Sequence, residues 1–111
     1  MQGGYTKLYP WRYLGGQKYT LTGDQFVTLP SECDIVQIRA VSGAVSWAVG
    51  PAGTLATNGP GYIPEDGAEI IGPLSNWENT PNKQGLALYA ASATAYVVFF
   101  QEVKQKGARL S

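Results

Sequence analysis

Alternating apolar and polar side chains predict two strands in the middle of the chain. In residues 35–42 every second side chain is apolar, with Gln37 and Arg39 between them. Residues 44–50 alternate in the same way, and Trp47 lies on the more apolar face. A period of two residues is typical of a half-buried strand. Because Ser42-Gly43 is a turn signal between the two runs, the pattern predicts a hairpin.

A second hairpin is predicted nearer the N-terminus. Residues 19–22 and 25–29 are rich in β-forming side chains, and Gly23-Asp24 joins them. A glycine-first pair between two such runs favours a two-residue hairpin turn. Pro30 ends the second strand, because proline has no backbone N–H to donate to a neighbouring strand.

The C-terminal half predicts three more strands, at residues 68–74, 86–90 and 95–103. The last of them contains four consecutive apolar residues, 97–100, which is typical of a central or doubly covered strand. Loops rich in Gly, Pro and Asn separate these strands. With about seven strands and no helical pattern, the sequence predicts an all-β protein, a small β-sandwich of jelly-roll or Ig-like type.

The first 17 residues differ from the rest, since they show neither alternation nor a helical period. Gly3-Gly4 and Gly15-Gly16 enclose four aromatic residues: Tyr5, Tyr9, Trp11 and Tyr13. Each ring gains on the order of kilocalories per mole when it leaves water, so the segment should lie on a surface. That surface is either its own domain or a neighbouring subunit. We expect an extended aromatic and basic arm (1–17), a β-sandwich domain (18–103) and a flexible basic tail (104–111).

Charge is balanced overall but unevenly distributed. The chain has 8 basic and 8 acidic side chains. Residues 1–18 carry three basic and no acidic side chains, whereas residues 19–101 carry seven acidic and two basic ones. Residues 102–111 are again basic. Basic ends on an acidic body favour docking on an acidic surface, such as a neighbouring copy, although short basic ends also serve solubility.

The composition excludes several common kinds of catalytic and metal site. The chain has no His and a single Cys, Cys33. It therefore has no Ser–His or Cys–His pair, no usual zinc ligand set and no intramolecular disulfide. The acidic residues Glu65, Asp66 and Glu69 lack the spacing of an EF-hand calcium loop. We expect no enzyme activity, no cofactor and no metal site.

Two aromatic residues are candidates for binding. Tyr62 and Trp77 lie in predicted loops, where they are open to a protein partner or a sugar. Trp47 is expected in the core because it lies on an apolar strand face. Basic residues are too few for a nucleic-acid surface. The longest strongly apolar run, residues 90–100, is shorter than the roughly 20 residues of a membrane span.

Several segments also carry a family resemblance: residues 26–30 (FVTLP), 35–40 (IVQIRA), 45–50 (VSWAVG), 62–67 (YIPEDG), 68–71 (AEII), 86–90 (LALYA) and 95–98 (AYVV). Their order and spacing resemble small all-β structural proteins of tailed bacteriophages. The resemblance implies a compact β-sandwich in the virion, as a head decoration (cement) protein or a minor head or tail component. The N-terminal arm lies outside the matched pattern.

The expected function follows from this resemblance. A capsid decoration protein would stabilise the phage head from the capsid exterior, after synthesis in the host cytoplasm. Its partners would be the major capsid protein and neighbouring copies of itself, in a homo-oligomer with a trimer favoured, without nucleic acid or membrane. The alternative is a minor tail or host-surface glycan-binding module. The expected partner-binding residues are Tyr5, Lys7, Tyr9, Trp11, Arg12, Tyr13, Tyr62 and Trp77.

Overall fold

The computed structural model describes residues 11–30, 32–72 and 85–102. In these residues it contains six strands and no helix: β1 Trp11–Val27, β2 Ile35–Val41, β3 Val45–Gly50, β4 Gly61–Ile63, β5 Ala68–Ile71 and β6 Gly85–Glu102. The prediction of an all-β protein is confirmed. The six strands form one antiparallel sheet that curls into a half-barrel. The seven-strand sandwich is not confirmed.

The sheet has four rows, because two pairs of short strands lie end to end. β6 is flanked on one side by β1 and on the other by β2 and β3 in succession. β5 pairs with the far edge of β2, and β4 pairs with the far edge of β3. One edge of the sheet is therefore the long strand β1, and the opposite edge is the outer row formed by β4 and β5.

All four rows are irregular at one level of the sheet. The register of β1 against β6 shifts between Leu21 and Gly23. At the same level, residues 42–44 separate β2 from β3, and residues 64–67 separate β4 from β5. A straight strand of 18 residues, the length of β6, would span roughly 60 Å. The longest dimension of the molecule is 49 Å, so the sheet bends.

The concave face of the bent sheet holds the main core. Residues from both sides of the bend contribute to it, among them Leu21, Val27, Val36, Ile38, Val45, Ile63, Leu86, Leu88, Val97 and Phe99. Cys33 is buried in the same cluster, and its thiol donates to the Ile35 carbonyl at 3.5 Å. Burial of this apolar area, at about 25 cal/mol per Å², is the main force that holds the bend.

A smaller cluster on the convex face is covered by the loop that joins β3 to β4. It consists of Ala48, Ala56 and Ala87, with Phe26 and Tyr89 packed against it. Ala56 belongs to the loop and is fully buried, so the Gly- and Pro-rich segment folds back onto the sheet.

Asp24 pins this loop to β1. Its carboxylate accepts a hydrogen bond from the Ala56 N–H at 3.0 Å and one from the Thr57 hydroxyl at 2.6 Å. Asp24, which the sequence pattern placed in a hairpin turn, therefore joins two segments that are 32 residues apart in the chain.

Both predicted hairpins are wrong. Gly23-Asp24 lies inside the continuous strand β1. Ser42-Gly43 joins β2 to β3, but both strands pair with the same edge of β6 and not with each other. β6 itself runs without a break through residues 91–94, between the two strands predicted there. In each case long-range pairing with β6 outweighs a local turn preference.

Residues 11–17, which the sequence pattern assigns to the arm, form the first part of β1. They pair with residues 97–102 of β6, and Leu14 packs against the core. The pairing shifts register between Tyr13 and Gly15. This shift interrupts the alternation of apolar and polar side chains, so the sequence pattern does not predict a strand here. Residues 1–10 of the arm and the tail, 104–111, lie outside the described residues.

Candidate functional site

An aromatic cluster lies on the convex face at one end of the sheet. Trp11 and Tyr13 of β1 both contact Phe100 of β6, with ring centroids 5.5 and 6.3 Å apart. Phe99 points into the core, so the alternation of the strand directs Phe100 to the opposite face. Tyr13 is 66% exposed. Trp11, Tyr13 and Phe100 form the aromatic cluster.

Both terminal segments join the sheet beside this cluster. Trp11 is the register partner of Glu102, so residues 1–10 enter and residues 103–111 leave at the same end of the sheet. These two segments carry four basic side chains and no acidic one: Lys7, Lys104, Lys106 and Arg109. The fold therefore brings the attachment points of two basic segments to an aromatic surface.

Arg12, between the two β1 aromatics, is engaged within the chain. Its guanidinium forms an ion pair with Glu32 at 2.9 Å, and both side chains are exposed. An exposed pair of this kind contributes about 0–1 kcal/mol to stability. The contact ties β1 to the segment that leads into β2.

Tyr62 lies on β4, not in a loop as predicted. Its side chain is 66% exposed, and its register partner is Ser46 of β3, on the other side of the bend from the aromatic cluster. The structure thus brings together Trp11, Arg12 and Tyr13 but not Tyr62. The remaining expected partner-binding residues, Tyr5, Lys7, Tyr9 and Trp77, lie outside the described residues.

Three residues of the convex face were missed by the sequence reasoning: Phe100, Tyr96 and Arg39. The Arg39 guanidinium lies 5.3 Å from the centroid of the Tyr96 ring, and the two are register partners on β2 and β6. Alternation places Arg39 on the polar face of its strand. Alternation does not show which strand pairs with the strand of Arg39, because that pairing joins residues far apart in the chain.

The described residues hold no arrangement typical of a catalytic centre. No group of three or more potential metal ligands lies together among them, and none of their polar or charged side chains is buried. An open cavity of about 250 Å³ is lined by Arg39, Ala40, Val41 and Asp66. Burial raises the pKa of the Tyr19 hydroxyl, whose ring packs against the core.

No helix in the described part of the chain has the length and apolar character needed to cross a membrane. Comparisons of the chain with protein-family models, with curated protein sequences and with solved structures find no match. The resemblance to tailed-phage proteins therefore depends on the sequence segments that carry it, and the surface must be interpreted from its own chemistry.

Proposed function

We propose that this chain is a virion structural protein of a tailed bacteriophage, a capsid decoration protein that stabilises the head by linking capsid subunits. The observation that carries the proposal is the aromatic cluster at the end of the sheet where both basic segments attach. Exposed aromatic rings beside basic charge fit a protein partner with an acidic surface. The role includes no catalytic step and no cofactor.

The curled sheet supplies the rigid body that such a role needs. We propose that the bend closes this sheet around its main core as a small β-sandwich. Its two longest strands, of 17 and 18 residues, pair along nearly their whole length. Burying an exposed ring such as that of Tyr13 contributes roughly 1–3 kcal/mol. Weak contacts of this size add up when many copies bind one shell.

Two equally exposed tyrosines provide a matched test. Tyr13 and Tyr62 are each 66% exposed, but only Tyr13 belongs to the aromatic cluster. We expect Tyr13→Ser to weaken binding to capsid shells of the encoding phage by about tenfold or more, as measured by co-sedimentation. Tyr62→Ser should bind like the unchanged chain. Loss of binding in both variants, or in neither, would contradict the proposal.

The exposed ring of Tyr62 favours a second candidate, a glycan-binding module in a minor tail or host-surface role. An exposed aromatic ring offers the apolar face on which a sugar ring stacks. This candidate expects the full chain to bind on a glycan array and Tyr62→Ser to lose that binding with capsid binding unchanged. An array without any bound glycan would exclude it.

A further inference from the structure

The two edges of the sheet run in opposite directions. Antiparallel pairing reverses direction at each step, and the sheet has four rows, so β1 and β5 are antiparallel to each other. Among the described residues, no strand pairs with the outer edge of β1 or of β5. Unpaired N–H and C=O groups on such edges are templates for another strand. A copy rotated about an axis along the strands would present its β1 to this β5 in antiparallel orientation.

Two lines of register partners cross all four rows from β1 to β5. The first is Lys18, Tyr96, Arg39 and Ala68, and the second is Gly16, Val98, Gln37 and Ile70. Rotation about an axis along the strands keeps each residue at its own level. Lys18 of one copy would then lie beside Ala68 of the next, and Gly16 would lie beside Ile70.

The charges near this junction are complementary. Lys18 is exposed and forms no ion pair with a described residue. Glu65 and Asp66 are exposed in the turn immediately before β5. Arg39 lines a cavity with Asp66, but its guanidinium is placed over the Tyr96 ring. Lys18 of a neighbouring copy would therefore meet carboxylates that have no ion-pair partner within the described residues.

The apolar surface is complementary as well. Ile70 is 49% exposed on the convex face, since its partner Gln37 alternates with the core residues Val36 and Ile38. Gly16, at the same level on β1, has no side chain of its own, and the Tyr13 hydroxyl and a Val98 methyl lie 3.6 and 3.9 Å from the position that its Cβ would take. Ile70 of one copy would lie over Gly16 of the next and against the methylene stem of Lys18, two residues along β1.

We propose that copies of this chain join edge to edge, with β1 of one copy antiparallel to β5 of the next. The junction is held by Lys18 against Glu65 and Asp66 and by Ile70 over Gly16. It rests on the proposed function, in which neighbouring copies are partners. Because the contact joins two different edges, it is heterologous, and repetition around an axis along the strands closes a ring.

Exchanging the charges tests this junction. The variants are Lys18→Glu, Glu65→Lys and the double variant with both changes. Leu55→Lys, which places a charge on an exposed residue of the β3–β4 loop, is the control. The mass of each full-length protein is measured by light scattering after size-exclusion chromatography. Thermal unfolding confirms that each variant folds, and all three substituted positions are exposed.

We expect the unchanged chain and Leu55→Lys to form an oligomer of one defined mass. Each single charge exchange should weaken association by about tenfold or more, and the double variant should regain it. In an equimolar mixture of the two single variants, every junction between unlike variants joins opposite charges, so the mixture should associate more strongly than either variant alone. Association of Glu65→Lys at full strength would show that Glu65 does not contribute to the contact and would overturn the proposal, as would failure of the double variant to regain association.

The outcome separates this inference from the proposed function. A monomeric chain that still binds capsids overturns the edge pairing and leaves the decoration role standing. An oligomer with the expected charge response that binds no capsid supports the edge pairing and contradicts the decoration role.

Discussion

The indole N–H of Trp47 donates a hydrogen bond to the Glu69 carboxylate at 3.1 Å. Trp47 lies on β3 and Glu69 on β5, so the bond crosses the bend of the sheet. The indole ring also covers Gly61, its register partner on β4. Trp47 is half-buried against the core, and it joins both strands of the outer row to β3.

Gly61 should therefore tolerate no side chain. A Cβ at this position would occupy the space of the Trp47 indole, so Gly61→Ala must displace the ring or separate β3 from β4. We expect the free energy of unfolding to fall by about 1–3 kcal/mol, as measured by urea unfolding.

Gly23→Ala is the matched control for that substitution. Gly23 also lies in the sheet, but nothing lies within 4 Å of the position its Cβ would take. We expect the free energy of unfolding to change by no more than about 1 kcal/mol. Alanine reduces the conformational freedom of the unfolded chain, which favours the folded state. Equal destabilisation by the two substitutions would contradict the role given to Trp47.

Asp24 should hold the β3–β4 loop in place. Asp24→Ala removes the acceptor of the Ala56 N–H, whose residue is fully buried, and leaves that group without its partner. The expected cost is about 1–3 kcal/mol. Hydrogen exchange of the Ala56 amide should accelerate.

Thr57→Val provides the comparison, because it removes only the hydroxyl that donates to Asp24. Its expected cost is smaller, about 0.5–1.5 kcal/mol. If Asp24→Ala left the exchange rate of Ala56 unchanged, the loop would be held by other contacts.

Alkaline pH should weaken the fold through Tyr19. Burial raises the pKa of its hydroxyl in the folded chain, because the phenolate loses hydration there. The stabilising contribution is therefore complete below the pKa of the unfolded chain, about 10, and is lost as pH rises through the higher folded value. Unfolding curves between pH 9 and about 11 should show a smaller loss for Tyr19→Phe. An identical loss in both proteins would contradict this assignment.

Two truncations should separate the terminal segment from the sheet. Removing residues 1–10 leaves every described strand pair in place, so a cooperative unfolding transition should remain. Removing residues 1–17 also deletes Leu14 from the core and the partners of residues 97–102. We expect the second protein to lose several kcal/mol or to fail to fold, as measured by circular dichroism. Equal stability of the two truncated proteins would show that residues 11–17 do not stabilise the sheet.

Local patterns in the sequence predicted where the strands lie better than which strands pair with each other. Alternation placed strands at residues 35–42 and 44–50, and the structure has them at Ile35–Val41 and Val45–Gly50. The apolar run at 97–100 predicted a central strand, and β6 indeed has neighbours on both sides. Pairing joins residues far apart in the chain, so neither the shared edge of β6 nor the bend was visible in the sequence.

The candidate surface was predicted only in part for the same reason. Trp11, Arg12 and Tyr13 stood together in the sequence and remain together on β1. Phe100, which completes the aromatic cluster, follows 87 positions after Tyr13, and only the β1–β6 register brings the two together. The proximity of the two points where the basic segments join the sheet likewise depends on the pairing of Trp11 with Glu102.

The orientation of the protein on a phage head tests the central claim most directly. Electron cryomicroscopy of capsid shells of the phage proposed to encode the chain, incubated with the full chain, would give that orientation. We predict a repeated sheet on the outer surface, with the end that carries Trp11, Tyr13 and Phe100 against the shell. Shells without added density, or a bound sheet whose aromatic cluster faces solvent, would contradict the account.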